Sequence, residues 1–391
     1  MTVAEIKTVC YVGAGTMGCA NSLVAAISGY DVVLYDLDQN TLDQVAARHA
    51  EMGPYLVGIG YCTADELAAS TARITCTRDL AAATANADLV SESVIEDLDI
   101  KRAVHAELDS ICPPKTILTT NTSGMLVSDI EDVVSRGERF AALHSHFGSL
   151  LIDIVGGPRT SEKTIDILMR YVISAKCVPL VLKKENRGYV LNSLIGPVVT
   201  AAMLLEIQGL ATKEQIDRAW MVHRKAPMGP FGMMDLFGLN VVYDGWQHQP
   251  EDGKEEAYRP VILGMLEAYI SRGELGAKTG QGFYSYPNPV FEQDGFLQAE
   301  PENEVAHYAL TTVLVGQSIV LVANGVADPD EVDRAWKAGM NLDIGPFEIM
   351  DQMPPGALRE LIRKLPGTLA PDDIVLIEKY LDEQEREAVV S

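Results

Sequence analysis

Between residues 8 and 182, short β-branched runs alternate with longer stretches whose apolar positions recur every three or four residues. The runs TVCYVGAG (8–15), DVVLYDLD (31–38), DLVSESV (88–94), TILTTNTS (116–123) and RFAALHS (139–145) predict strands, and segments 16–29, 39–52, 97–110 and 161–175 predict helices between them. This alternation implies a parallel sheet with crossover helices, and the near-continuous apolar strands imply burial on both faces. The texture changes after the polar stretch Lys183-Lys184-Glu185-Asn186-Arg187-Gly188. From about residue 189 the period is helical and strand signals nearly vanish. A second boundary is expected near 287–303, which is rich in Pro, Asn and acidic residues.

The helical half carries an internal repeat. Segment 208–235 (QGLATKEQIDRAWMVHRKAPMGPFGMMD) recurs as 324–351 (NGVADPDEVDRAWKAGMNLDIGPFEIMD). Gly209 matches Gly325, Asp217-Arg218-Ala219-Trp220 matches Asp333-Arg334-Ala335-Trp336, Gly229-Pro230-Phe231 matches Gly345-Pro346-Phe347, and Asp235 matches Asp351. The spacing holds without a gap, so two copies of one helical unit packed face to face are expected. The predicted architecture is an α/β N-terminal doubly wound domain, residues 1–186, followed by two related all-α domains, 187–295 and 296–391.

A chain of 391 residues suits two or three domains, and 47% hydrophobic with 22% charged residues is a globular composition. The formal net charge of -24 argues against nucleic-acid binding and against an anionic membrane surface. No run of about 18 apolar residues is present and the N-terminus leads directly into a strand, so neither a membrane span nor a cleaved signal peptide is expected. Six cysteines (Cys10, Cys19, Cys62, Cys76, Cys112, Cys177) form no Cys-x-x-Cys pair. Reduced thiols and a cytoplasmic location are the plain expectation.

Gly13-Ala14-Gly15-Thr16-Met17-Gly18 follows a strand and opens a helix. Gly13 permits the turn, Gly15 lets backbone approach a pyrophosphate, Gly18 lets helix and strand pack, and the helix N-terminus offers free N–H groups. Asp36 ends the next strand, where a carboxylate accepts the adenosine ribose hydroxyls and repels a 2′-phosphate. NAD rather than NADP is therefore predicted. The competing reading is a glycine turn in an unrelated α/β protein.

Oxidation of a secondary alcohol needs a base of near-neutral pKa, and a carboxylate behind a histidine fixes its tautomer. His144 sits at a strand end, where ligands of open parallel sheets gather, and Asp153 follows after a short loop. Plainer roles exist for each residue: a structural core histidine, a turn residue at Ser123, a helix-start residue at Asn192. His144 and His146 also form a His-x-His pair, but no further ligands stand at suitable spacing and no metal is predicted. Met228 and Phe231 are assigned to the helical core.

As a set, several blocks resemble the 3-hydroxyacyl-CoA dehydrogenase family: VGAGTMG, SESVIEDLDIK (91–101), ILTTNTSG (117–124), RFAALHSHF (139–147), LIDIVGGPRTSEKT (151–164), RGYVLNSLIGP (187–197), APMGPFGMMDLFGL (226–239) and GAKTGQGFYSY (276–286). The resemblance implies a Rossmann-type NAD-binding domain and reversible NAD-linked oxidation of an (S)-3-hydroxyacyl-CoA, as in fatty-acid oxidation. It places His144 as catalytic base with Asp153 behind it, Ser123 and Asn192 on the substrate oxygen, and Glu92 and Lys101 along the nicotinamide half of the cofactor. Tyr308 stands where Asn192 falls in the repeat, so the second copy is expected to support the fold. The family commonly dimerises through its single helical domain; here a pseudo-dimer within one chain, monomeric in solution, is expected.

Two departures stand out. The family follows its histidine with Phe-x-Asn-Pro, whereas this chain reads His144-Ser145-His146-Phe147-Gly148-Ser149, with a shorter path to an Asp in place of Glu. His146 is thereby a rival for the role of base. Residues 40–75 contain no lysine, only Arg48 and Arg73 as cations, where the family has lysines for the CoA nucleotide. A carrier-bound or free 3-hydroxy acid is therefore the alternative substrate. An NAD-binding protein that has lost its chemistry is the third reading.

Overall fold

The computed structural model describes residues 6–247, 256–299, 303–365 and 367–390. It divides into two compact units. The first comprises the chain to Val190 with Gly325–Glu331 and Ala338–Asn341, and the second comprises the rest.

The first unit is built on one sheet of eight strands: β1 (Thr8–Val12), β2 (Asp31–Tyr35), β3 (Ile74–Thr77), β4 (Leu89–Glu92), β5 (Ile117–Thr120), β6 (Phe140–Ser145), β7 (Leu151–Gly156) and β8 (Val178–Leu182). Their order is β3-β2-β1-β4-β5-β6-β7-β8. Every pairing is parallel except β6 with β7. The chain leaves β1 toward one edge and returns to β4 on its other side, so the carboxyl end of β1 is a switch point of the kind where ligands bind. Val9, Leu34, Leu89, Val90, Leu118, Phe140 and Ala141 are fully buried, as a sheet covered on both faces requires.

The four predicted helices appear as Thr16–Ile27, Gln39–Asp43 with Val45–Gly58, Leu98–Ile111 and Glu162–Ser174. Local caps set their starts: Asp97 accepts the Ile100 N–H at 2.9 Å and Ser161 the Thr164 N–H at 3.2 Å. Three strands exceed the sequence expectation. β3 is a short, partly exposed edge, β7 has Asp153 in its middle, and β8 contains Pro179, which an edge strand tolerates. The antiparallel β6–β7 hairpin also departs from the all-parallel expectation. It sets His144 directly opposite Asp153.

The second unit is helical. It holds Leu191–Asn324, Val332–Lys337 and the chain from Leu342 on, and so both repeated segments except Gly325–Glu331 and Ala338–Asn341 of the second. Helix Leu191–Ile207 packs on its counterpart Glu304–Ala323, and Trp220 meets its own repeat mate Trp336 edge to face at 6.1 Å. Equivalent elements of the two copies are thus in direct contact. Helix Glu304–Ala323 is long and apolar enough to cross a membrane, but 72% of its apolar window is buried, as in a core helix. Scattered polar residues such as Thr311, Gln317 and Ser318 hid it from a search for unbroken apolar runs.

The aligned aspartates do the same job in both copies. Asp217 accepts the N–H groups of Phe231 and Gly232 at 2.9 and 3.0 Å, and Asp333 those of Phe347 and Glu348 at 2.7 and 3.1 Å. Each caps the helix that opens with Gly-Pro-Phe. A Cβ on Gly229 or Gly345 would fall within 2.4 Å of the matching aspartate, which explains the glycine at that place. The likeness stops at Asp235. In the first copy it is buried and accepts the Phe283 and Tyr284 N–H groups at 2.8 Å, whereas Asp351 is exposed.

Candidate active site

Because β1, β4, β5 and β6 run parallel, the turn after β1 and the residues ending β4, β5 and β6 share one edge of the sheet. The glycine turn is there. Gly13 has φ +103°, and a Cβ on it would lie 2.5 Å from the Ser93 carbonyl oxygen. A Cβ on Gly18 would lie 1.8 Å from the Gly13 oxygen, so helix and strand meet with no room to spare. Gly15 has nothing within 4 Å of where its Cβ would be. The helix Thr16–Ile27 has no side-chain cap and no acidic residue in its first turn, which leaves its leading N–H groups and partial positive charge open to an anion. Thr16 is exposed and Met17 half-buried at this opening.

Asp36 follows the end of β2. Its carboxylate accepts the Ala14 N–H at 2.8 Å and the Asp38 N–H at 2.9 Å, tying the acid to the glycine turn. Uncapped N–H groups, the open approach over Gly15 and a carboxylate at the next strand end fit the pyrophosphate and adenosine ribose of NAD. Arg78 donates to the Leu37 carbonyl at 2.9 Å, a cation near this segment that the local sequence after Asp36 did not reveal.

Glu92 and Lys101 are placed differently from the sequence expectation. Both are buried, at 0% and 1% exposure, and they pair at 2.7 Å. Glu92 also accepts from Thr120 at 2.7 Å and His105 at 3.2 Å. Burial alone would raise its pKa, but the His105 hydrogen bond and the Lys101 charge outweigh it and hold the group at about 2. Both side chains are almost wholly sealed from solvent, and they brace the turn that follows β4. The acid that faces outward is Glu96, which was not foreseen. Its carboxylate accepts the N–H groups of Ser123 and Gly124 at 2.9 and 3.0 Å and the Thr122 hydroxyl, and it lies 3.2 Å from Lys101. The block SESVIEDLDIK contains both glutamates, and only the fold tells which is buried.

His144 and Ser123 come together with Asp153. His144 Nδ1 lies 2.9 Å from Asp153 Oδ2, and His144 Nε2 lies 3.0 Å from Ser123 Oγ. His144 is 3% exposed and Asp153 0%. Burial would raise the aspartate, yet the bonds from His144 and His146 prevail and its pKa is lowered. An ionised carboxylate only accepts, so Nδ1 carries the proton and the Nε2 lone pair faces the serine hydroxyl. Burial lowers the His144 pKa below the ordinary histidine value despite the carboxylate, and neighbouring His146 adds to the lowering. The ring is thus neutral at physiological pH.

Surrounding residues hold this geometry. Asn121 accepts the Ser145 N–H at 2.9 Å, which pins the end of β6. The Tyr189 ring lies 5.0 Å from that of His144, and its hydroxyl donates to the Thr122 carbonyl at 2.8 Å. Tyr189 adopts φ +52°, a left-handed conformation unusual for a residue with a side chain. Neither residue was singled out from sequence.

His146 also reaches the carboxylate, its Nε2 2.8 Å from the same Asp153 Oδ2. The hairpin therefore supplies what spacing alone had not shown: a third group beside the His-x-His pair. Ligand-type atoms of His144, His146 and Asp153 lie within 4.8 Å of one another, a set able to hold a metal. Asn192 belongs to the second unit, where it is half-buried as the second residue of helix Leu191–Ile207.

Residues 8–185 match the family model of the 3-hydroxyacyl-CoA dehydrogenase NAD-binding domain, and residues 188–286 and 309–386 match that of its C-terminal domain. A probable 3-hydroxyacyl-CoA dehydrogenase of Caenorhabditis elegans is 32% identical over 72% of this chain and 96% of its own length. A solved diketoreductase, described as acting on dicarbonyl compounds, is 32% identical over 72% of this chain and all of its own, with a TM-score of 0.67. The 3-hydroxybutyryl-CoA dehydrogenase of Escherichia coli shares the fold over 98% of this chain and all of its own, with a TM-score of 0.79 at 22% identity.

Proposed function

Because the chain belongs to the 3-hydroxyacyl-CoA dehydrogenase family and is an NAD-dependent oxidoreductase, we propose that it interconverts an (S)-3-hydroxyacyl-CoA and its 3-oxo form with His144 as the proton-transferring base. The observation that carries this reading is the bonded series Asp153–His144–Ser123, 2.9 and 3.0 Å, on the sheet edge that also carries the glycine turn. NAD, when bound over residues 13–18, supplies the hydride acceptor. His144 Nε2 takes the hydroxyl proton, Asp153 stabilises the imidazolium through Nδ1–H, and the Ser123 hydroxyl orients the substrate oxygen. Glu96 fixes the Ser123 backbone. A place in β-oxidation and a reducing, cytoplasmic setting for the unpaired thiols accord with this reading. The helical unit is read as a duplication whose second copy, with Tyr308 at the Asn192 position, supports the first and makes a monomer self-sufficient.

A second reading has its own support. Residues 40–75 lack lysine, and one solved relative at 32% identity is a diketoreductase described as acting on dicarbonyl compounds. On this reading the substrate is a carrier-bound or free 3-hydroxy acid without the CoA nucleotide. Steady-state NADH formation with matched (S)-3-hydroxyacyl-CoA, pantetheine thioester and free acid separates the two. Preference for the CoA form, with free CoA as a competitive inhibitor, supports the first. Equal kcat/KM for the pantetheine form, without inhibition by CoA, overturns it in favour of the second.

A further inference from the structure

We propose that His144, His146 and Asp153 bind one divalent transition-metal ion of the zinc class, and that its occupancy silences the base. The silencing rests on the proposed role of His144; the binding does not.

The three side chains bring one ligand-type atom each within 4.8 Å of one another. Residues 144 and 146 are two apart at the end of an extended strand, so their rings project to one face, and the antiparallel register brings Asp153 opposite. Both rings approach one carboxylate oxygen, at 2.9 and 2.8 Å. A tetrahedral ion with bonds of about 2.0–2.1 Å keeps its ligand atoms roughly 3.3 Å apart. Entry of the ion therefore opens each N···O contact by about half an ångström, within side-chain adjustment. The other oxygen, Asp153 Oδ1, is buried with no hydrogen-bond partner, an arrangement a cation would offset. Two imidazoles and one carboxylate suit zinc, cobalt, nickel or copper rather than magnesium or calcium. The fourth position is left for water or a substrate oxygen.

The consequence for the base follows from the tautomer. A neutral imidazole has one N–H. With the ion on Nδ1 of His144, that proton resides on Nε2, and the lone pair that faces Ser123 is lost. His146 likewise moves its proton from Nε2 to Nδ1. Each ring only shifts its proton from one nitrogen to the other, so no redox partner or co-reactant is needed.

The test uses the full-length protein, stripped of metal with a chelator and titrated with Co2+. The expected result is the visible absorption of tetrahedral cobalt, saturating at one ion per chain and displaced by Zn2+. His146→Asn, at a half-buried position, and Asp153→Asn each weaken binding at least tenfold. In parallel, Zn2+ inhibits NADH formation reversibly to EDTA, and His146→Asn, compared with its own metal-free rate, needs at least tenfold more Zn2+. Absence of the cobalt band, or cobalt affinity unchanged in His146→Asn, overturns the site. A bound ion with undiminished turnover overturns the silencing. Retained turnover in His144→Ala would count against the base assignment alone, while the cobalt stoichiometry still decides the site.

Discussion

Replacing Asp153 by Asn removes one charge and almost no volume, and the structure dictates what that costs. In the wild type one carboxylate oxygen accepts from both His144 and His146. The amide has two ways to fit. With its oxygen in the place of Oδ2, both bonds survive, but an NH2 donor occupies the buried Oδ1 position, which has no partner. That orphaned donor costs about 1–3 kcal/mol of stability. With the amide turned over, its nitrogen donates to His144 Nδ1, the ring proton moves to Nε2, and the base is lost. Either way the imidazolium formed in the transition state faces a neutral dipole instead of an anion. Loss of a positioned general base is worth about 10²–10⁴ in rate, or roughly 3–5 kcal/mol of barrier. We therefore expect kcat of Asp153→Asn to fall by about 10²–10⁴. KM should change little, because Asp153 is fully buried and can touch no substrate. The assay is steady-state NADH formation, with NADH binding and thermal melting confirming a folded enzyme. A variant within about threefold of wild-type kcat, or one altered only in KM, refutes the reasoning.

Three further outcomes follow from other parts of the molecule. Burial lowers the His144 pKa from 6.5, so kcat/KM for oxidation should be lost as pH falls through a midpoint below 6.5 and be flat above it until another group titrates; a midpoint above 7 contradicts the assigned environment. Gly18→Ala places a methyl 1.8 Å from the Gly13 oxygen, backbone against backbone, and should abolish NADH binding measured by fluorescence or leave the protein insoluble; wild-type affinity would show that the turn is not the cofactor seat. Asp217→Ala orphans two buried N–H groups at the start of helix Pro230–Phe237 and should cost about 2–4 kcal/mol in denaturant melts, and a loss under about 0.5 kcal/mol would mean those groups find other partners.

What the sequence conveyed follows burial. β1, β2, β4, β5 and β6 are central, or nearly so, and were visible as apolar β-branched runs, as were the glycine turn and Asp36. β3 and β8 are edges whose half-exposed or proline-containing sequences carry little pattern. β7 was hidden by Asp153, the residue that makes it useful. Its antiparallel register could not be read locally, and that register alone reveals why a shorter loop still delivers an aspartate to His144. The same register also brings His146 to the carboxylate, 2.8 Å from the oxygen that His144 meets. Glu92 and Glu96 lie four residues apart in one block, and choosing between them needs the third dimension: one ends a buried strand, the other faces out beside Ser123. The matching Asp-Arg-Ala-Trp segments were plain in the sequence, but the reason for their aspartates, the capping of the helix that follows, emerges only from the hydrogen bonds.

The central claim is that His144 Nε2 moves the proton in an NAD-linked oxidation. The most direct measurement compares single-turnover NADH formation in wild type, His144→Ala and His146→Ala at saturating NAD and (S)-3-hydroxyacyl-CoA. The account predicts a rate lowered by about 10²–10⁴ in His144→Ala with NADH affinity intact, and by no more than about tenfold in His146→Ala. The reverse order, or a His144→Ala enzyme that turns over at the wild-type rate, contradicts it.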